Sequence, residues 1–168
     1  PSGIDLGELQ SQLPQRLFTA DKVIKCDTPE PLADIDRLWN SLRSDDGKLR
    51  LIGRRHVRDC NSWMHNYHRL VKGKNRCTVL MHPVDMAARS IADSDLVTVR
   101  SRAGEVSLAA EASEDMMPGV VSIPHGYGHN RDGIQMDIAV ANAGVSCNDI
   151  TDELILDALS GNAAINGV

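Results

Sequence analysis

Aromatic residues are scarce. Phe18, Trp39, Trp63, Tyr67 and Tyr127 make up 3% of the 168 residues. The core is therefore expected to be aliphatic, and an aromatic side chain in a polar loop draws attention. No C-x-x-C pair occurs among Cys26, Cys60, Cys77 and Cys147. Spread thiols in a chain with this much aliphatic sequence argue against a disulfide framework and for a reducing, cytoplasmic setting. A four-thiolate metal site lacks its close ligand spacing. No apolar run approaches the roughly 18 residues of a membrane-crossing helix, and no signal-peptide pattern opens the chain. Neither a P-loop nor a G-x-G-x-x-G is present. Basic charge is also short: the formal net charge is -5 at pH 7, which argues against broad nucleic-acid or anionic-membrane binding.

What is present suits a globular domain. Hydrophobic residues are 42% and charged residues 24%, near the soluble average. Residues 1–28 carry no sustained period and are expected to form an extended lead-in with short pieces of strand. In "PEPLADIDRLWNSLRS", Leu32, Ile35, Leu38, Trp39 and Leu42 recur at three- and four-residue steps, which predicts a helix. "SDDGK" follows as a turn. Residues 1–47 thus read as an arm with one helix, and 48–168 as the main domain.

From Lys48 on, short strands dominate. "KLRLIG" alternates, and "RCTVLMH" has the look of a buried strand. "HPVDMAARSIA" predicts a short helix with Val84, Ala87, Ala88 and Ile91 on one face. The turn at Arg102, Ala103 and Gly104 predicts a hairpin. "EDMMPGVVSIPHG" adds a turn at Pro118-Gly119 and another strand. "TDELILDALSG" predicts a late helix capped by Thr151 and closed by Gly161. Without a β-α-β rhythm, this pattern indicates an α+β barrel, mainly β.

One stretch runs against the acidic average. "GRRHVRDCNSWMHN", Gly53 to Asn66, holds three arginines, two histidines and two asparagines against one acid, Asp59. Guanidinium groups and amides suit phosphate and carboxylate oxygens. A solvated basic loop is the plain alternative. His56, His65 and His68 are candidate metal ligands, and His65 and His68 stand three apart as on one helix face, but no nearby carboxylate completes a triad. A second polar cluster, "IPHGYGHN", offers His125, Tyr127, His129 and Asn130 to a ligand. A third, "ANAGVSCNDIT", carries Asn142 and Asn148. A self-contained enzyme would need Ser/His/Asp, Cys/His or metal-ligand spacing, and none stands out.

The order of these segments resembles the C-terminal domain of the molybdopterin oxidoreductases, the family of formate dehydrogenases, bacterial nitrate reductases and dimethyl sulfoxide reductase. The resemblance runs from about Lys48 to Val168. It is carried most by "HPVDMAARSIADSDLVTVRSRAGEV", which is similar to the family's H-P-x-D-A, helix, G-I-x-D-G-D, strand, turn and strand. It implies a six-stranded double-psi β-barrel with peripheral helices. Polar loops at one end of such a barrel hold part of a bis(molybdopterin guanine dinucleotide) that carries molybdenum or tungsten.

Residue by residue, Gly53 and Arg54 match the G-R of the family's T-G-R motif, and Asn61, Ser62, Trp63 and Met64 fall at its polar T-G-T-M-like segment. Arg55 is added on chemistry alone. His125, Gly126 and Tyr127 match the P-H-G-W-G segment, with Tyr127 at the aromatic position. Asn142 and Asn148 resemble the late asparagines. Ile52 replaces the threonine of T-G-R, Ser94 a glycine of D-G-D, and Asn166 a late lysine. The metal ligand and any iron–sulfur cluster belong, in the family, to upstream domains of the same polypeptide. The chain opens on Pro rather than Met and is expected to be a monomeric piece of such an enzyme, inactive by itself. A stand-alone double-psi interaction module without cofactor is the alternative.

Overall fold

The computed structural model describes residues 2–43 and 47–162. Residues 44–46 of the expected "SDDGK" turn and the Asn166 position lie outside the described residues. The chain divides into two compact units, Pro1–Ser44 and Asp45–Val168.

In the first unit the expected helix forms as α1, Pro29–Arg43. Pro29 and Pro31 suit its opening turn, where backbone amides lack partners in any case. Its apolar stripe stays at least half exposed, from Leu32 at 52% to Leu42 at 69%. The strand pieces expected before it do not form among the described residues. Leu6, Leu9 and Phe18 are more than 90% exposed, so no sheet partner fixes an extended register there.

The second unit is a five-stranded sheet: β1 Arg50–Arg54, β2 Thr78–Met81, β3 Leu96–Arg100, β4 Glu105–Ala112 and β5 Val120–Pro124. The order across it is β1-β5-β2-β4-β3. β1 runs parallel to β5 with Arg54 opposite Pro124, and β2 runs antiparallel to β5 with Leu80 opposite Ser122. β2 is parallel to β4, and β3 and β4 form the expected hairpin, closed by Arg100 opposite Glu105. Alternation in β4 sends Val106, Leu108 and Ala110 into a core shared with Leu51, Val79, Met81, Val121 and Ile123. The core is aliphatic, as the shortage of aromatics required.

Five strands, not six, are found among the described residues. The edges β1 and β3 are not paired with each other. Between them lies a cleft of about 700 Å³, lined by Leu49, Leu51, Met81, Val97 and Val99 among others. No helix among the described residues is long and apolar enough to cross a membrane.

Two local expectations are corrected. α3, Pro83–Ala88, begins as predicted, with Pro83 in the first turn and the His82 ring accepting the Val84 amide. Its buried residue is Met86, however, and Val84 is 62% exposed. Ser90 takes a positive φ and the Ile91 amide turns back to the Met86 carbonyl, so Ile91 leaves the helical phase and joins the core. The late helix over 151–161 is absent. A 3₁₀ turn, Cys147–Ile150, precedes it, and Thr151 is extended. The Thr151 hydroxyl donates back to the Asn148 carbonyl at 3.2 Å instead of capping a helix. Asp152 is held by Arg102, which ties the segment to the hairpin. Turns follow, with one isolated bridge at Leu156.

Candidate functional site

Sheet topology gathers the polar loops at one end. Parallel pairing sends the chain out of β1 and β5 in the same direction, into 55–66 and 125–130. Because β2 runs antiparallel to β5, its lead-in residues Arg76 and Cys77 arrive at that end too. The His125 amide donates to the Arg54 carbonyl at 2.9 Å, extending the β1–β5 ladder by one step into the loops.

Arg54 has a use that its sequence context did not reveal. It is half-buried rather than exposed. Its guanidinium reaches across β5, donating to the Ser122 carbonyl (2.5 Å), the Thr78 carbonyl (2.7 Å) and hydroxyl (3.0 Å), and the Arg76 carbonyl (3.0 Å). Burial draws its pKa below the ordinary guanidinium value, and Glu111 opposes that shift. Arg54 thus staples β1, β5 and the start of β2.

Three glycines hold the loops against one another. A Cβ on Gly126 would stand 1.9 Å from the Asn61 carbonyl oxygen. One on Gly128 would meet Ser146 Cβ at 2.7 Å, and one on Gly144 would meet Cys77 Sγ at 2.6 Å and the Tyr127 ring at 2.7 Å. All three have positive φ, which glycine adopts without steric cost. Cys60 and Asn61 are both left-handed as well, with φ of 43° and 62°. Asn66 adds a link from the first loop. Its Oδ1 accepts the Ile138 and Ala139 amides at 3.1 and 3.2 Å, capping α4, Asp137–Ala141, from outside the helix.

Behind the loops lies a buried polar cluster. Asp59 Oδ1 accepts from Arg76 at 2.9 Å and lies 3.4 Å from His65 Nε2. His65 Nδ1 is 2.7 Å from His129 Nε2. The Tyr127 ring lies against His65, tilted by 39°, with centroids 4.3 Å apart. Burial, and then the nearby His65, lowers the His129 pKa. Burial raises the Tyr127 pKa, with Asp59 adding to the effect. A cavity of about 340 Å³ opens beside this cluster, lined by Lys74, Asn75, Arg76, Tyr127, Asn142 and Gly144 among others.

The structure therefore brings the Asn61–Ser62 backbone, Gly126, Tyr127 and the Asn142 loop together. Gly53, Arg55, Asn61, Trp63 and Met64 are exposed on the first loop and its approach; Ser62, His125, Gly126 and Tyr127 are half-buried. Trp63 is 84% exposed. The Asn142 amide donates to the Ile138 carbonyl at 2.8 Å. Asn148 sits farther along, on the 3₁₀ turn, and its hydrogen bonds are local. His65 and His68 do not share a helix: His65 is buried in a turn, and His68 opens α2, His68–Val71. Asp59, Asn66, Arg76 and Gly144 escaped the sequence reading. The lone acid in a basic stretch was the available signal for Asp59. The four cysteines are free thiols, with Cys77 and Cys147 buried.

Residues 49–168 match the family model described as the molydopterin dinucleotide binding domain. The chain belongs to this family. Among curated proteins, the domain is 33% identical over 101 residues to the Escherichia coli chain YnfE, covering 59% of this chain and 12% of that protein. It is 41% identical over 56 residues to the dimethyl sulfoxide/trimethylamine N-oxide reductase of Rhodobacter capsulatus, covering 33% of this chain and 7% of that one. The chain thus spans about an eighth or less of the relatives it matches. Acetylene hydratase from Pelobacter acetylenicus shares the fold, with a TM-score of 0.59 at 17% identity, over 81% of this chain and 18% of that one.

Proposed function

We propose that the domain holds part of a bis(molybdopterin guanine dinucleotide) in a larger molybdenum or tungsten oxidoreductase, through the three loops at one end of its sheet. The observation that carries this reading is their convergence. Segments 53–66, 125–130 and 142–148, singled out separately by their residue types, meet through glycines that leave no room for a side chain.

The donor set fits the group. A pyrophosphate needs cations and N–H groups. Arg55 and Arg58 are exposed on the first loop, and Lys74 and Arg76 line the cavity beside Tyr127. About 340 Å³ is near the lower limit for a ligand cleft and suits one ring system rather than a whole dinucleotide. The remainder would rest on the upstream domains of the same polypeptide. When bound, the cofactor's metal supplies the redox chemistry. This chain's residues bind and orient: Arg55, Asn61 and Ser62 at the phosphates, Trp63 and Met64 at the pterin, His125, Gly126 and Tyr127 along its border, and Asn142 and Asn148 at the nucleotide side. Gly53 gives the backbone a close approach. Arg54 contributes by holding the platform. The cleft between β1 and β3 is where a sixth strand would close a double-psi barrel.

Nuclear magnetic resonance titration of the 168-residue chain with guanosine diphosphate tests the placement. Affinity near millimolar, about -4 kcal/mol, is expected from part of a pocket, weakening with salt. Amides of the three loops should shift, and Arg55→Ala should reduce the shifts. Shifts confined to residues outside the three loops would refute the assignment.

A further inference from the structure

The shared proton position between His65 and His129 is a second constraint on the loops, separate from their glycines. His65 is 1% exposed and His129 7%. Their facing nitrogens, Nδ1 and Nε2, are 2.7 Å apart, which leaves room for one hydrogen. The other face of His65 decides which ring supplies it. Nε2 is fully buried, makes no hydrogen bond among the described residues, and looks toward Asp59 Oδ1 at 3.4 Å. A bare nitrogen lone pair there would oppose a carboxylate oxygen, so Nε2 carries a hydrogen. A neutral His65 then has a bare Nδ1, and His129 donates to it through Nε2–H.

We propose that His65 and His129 are positioning residues: their single N–H···N hydrogen bond locks the 59–65 turn to the 125–129 turn and so holds Asn61 and Gly126 in register. The bond tolerates one added proton, because a cationic ring still donates to a neutral one. It does not tolerate two, since both facing nitrogens would then carry hydrogen. Asp59 is already paired with Arg76, Tyr127 covers the His65 ring, and Arg54 and Cys77 lie within the field of Asp59. The lowered His129 pKa agrees with a pair that resists its second proton.

The consequence for a dinucleotide rests on the function proposed above; the lock itself does not. The test uses the isotopically labelled 168-residue chain. At neutral pH a scalar coupling across the hydrogen bond is expected between the two ring nitrogens, with His65 in the Nε2–H form. The Asn61 and Gly126 amides should stay in place through the ordinary histidine range, about pH 6.5, and move together below it. His129→Gln, whose amide can still donate to His65, should keep the neutral-pH amide positions and lose the acid-induced movement. His129→Leu should displace both amides at every pH. No coupling, a His65 Nδ1–H form at neutral pH, or unchanged Asn61 and Gly126 amides in His129→Leu would overturn the proposal. If the lock holds but guanosine diphosphate leaves these amides unmoved, the proposed function fails and the lock stands.

Discussion

The α-carbon of Gly126 is packed against the carbonyl of Asn61, so that a methyl group there would stand 1.9 Å from the oxygen. This approach joins two loops separated by about sixty residues of sequence. Gly126 also has a φ of +95°, and so a substitution is strained twice. Gly126→Ala is expected to lose more than about 2 kcal/mol. Gly133→Ala separates the two causes: its φ is +86° but nothing lies near its missing Cβ. Urea unfolding of both variants should show the larger loss at Gly126, accompanied by displaced Asn61 and Ser62 amides.

Arg54→Ala should destabilise the fold as well as any bound ligand. The change strips the Ser122, Thr78 and Arg76 carbonyls of their charged donor. A loss of about 2–3 kcal/mol is expected. Arg54→Lys should recover only part of it, because one ammonium cannot reproduce the planar fork across two strands. Equal stability of Arg54→Ala and the parent in urea would show that the staple contributes nothing.

Asn66→Ala removes the acceptor for the first amides of α4. The expected cost is about 1 kcal/mol, typical of a lost N-cap. The Ile138 and Ala139 amides should exchange hydrogen faster, and the Asn142 amide should shift with them. Unchanged exchange at 138 and 139 would contradict the capping role.

Acid should act on the domain through His129. Its folded pKa is lowered by burial and by His65, so between that value and the ordinary one, about 6.5, the unfolded chain binds more protons than the native one. The contribution to stability is full above the ordinary value and is lost as pH falls through this window. Thermal unfolding followed from pH 8 to 5 should show that loss, and His129→Gln should flatten it. An identical slope in the variant would place the acid sensitivity elsewhere. Asp152 acts at lower pH. Its hydrogen bonds from Arg102 lower its pKa, so its contribution persists until pH falls below the ordinary carboxylate range. The exposed Arg102 leaves that pair screened by water.

Local chemistry sufficed for much of the fold. The three-to-four-residue stripe of α1, the alternation of "KLRLIG" at β1, the hairpin turn at Arg102, Ala103 and Gly104 and Pro83 at the start of α3 are short-range signals, and each element forms where it was expected. The donor-rich stretch after β1 was legible as a polar cluster, with anion binding and a plain solvated loop both open to it on residue types alone. The late helix was misread because its period was correct but Asp152 is captured by Arg102, fifty residues away, a pairing no local window contains. Arg54 read as one more donor of the polar stretch until strand order placed three carbonyl groups around it. The same order decided that Asn61 meets Gly126, that Asn66 caps a helix beginning at residue 137, and that His65 finds His129. Residue types determined which chemistry the chain carries. Pairing β1 with β5 and β5 with β2 decided where it gathers, because ladder direction sets the end of the sheet at which each loop emerges.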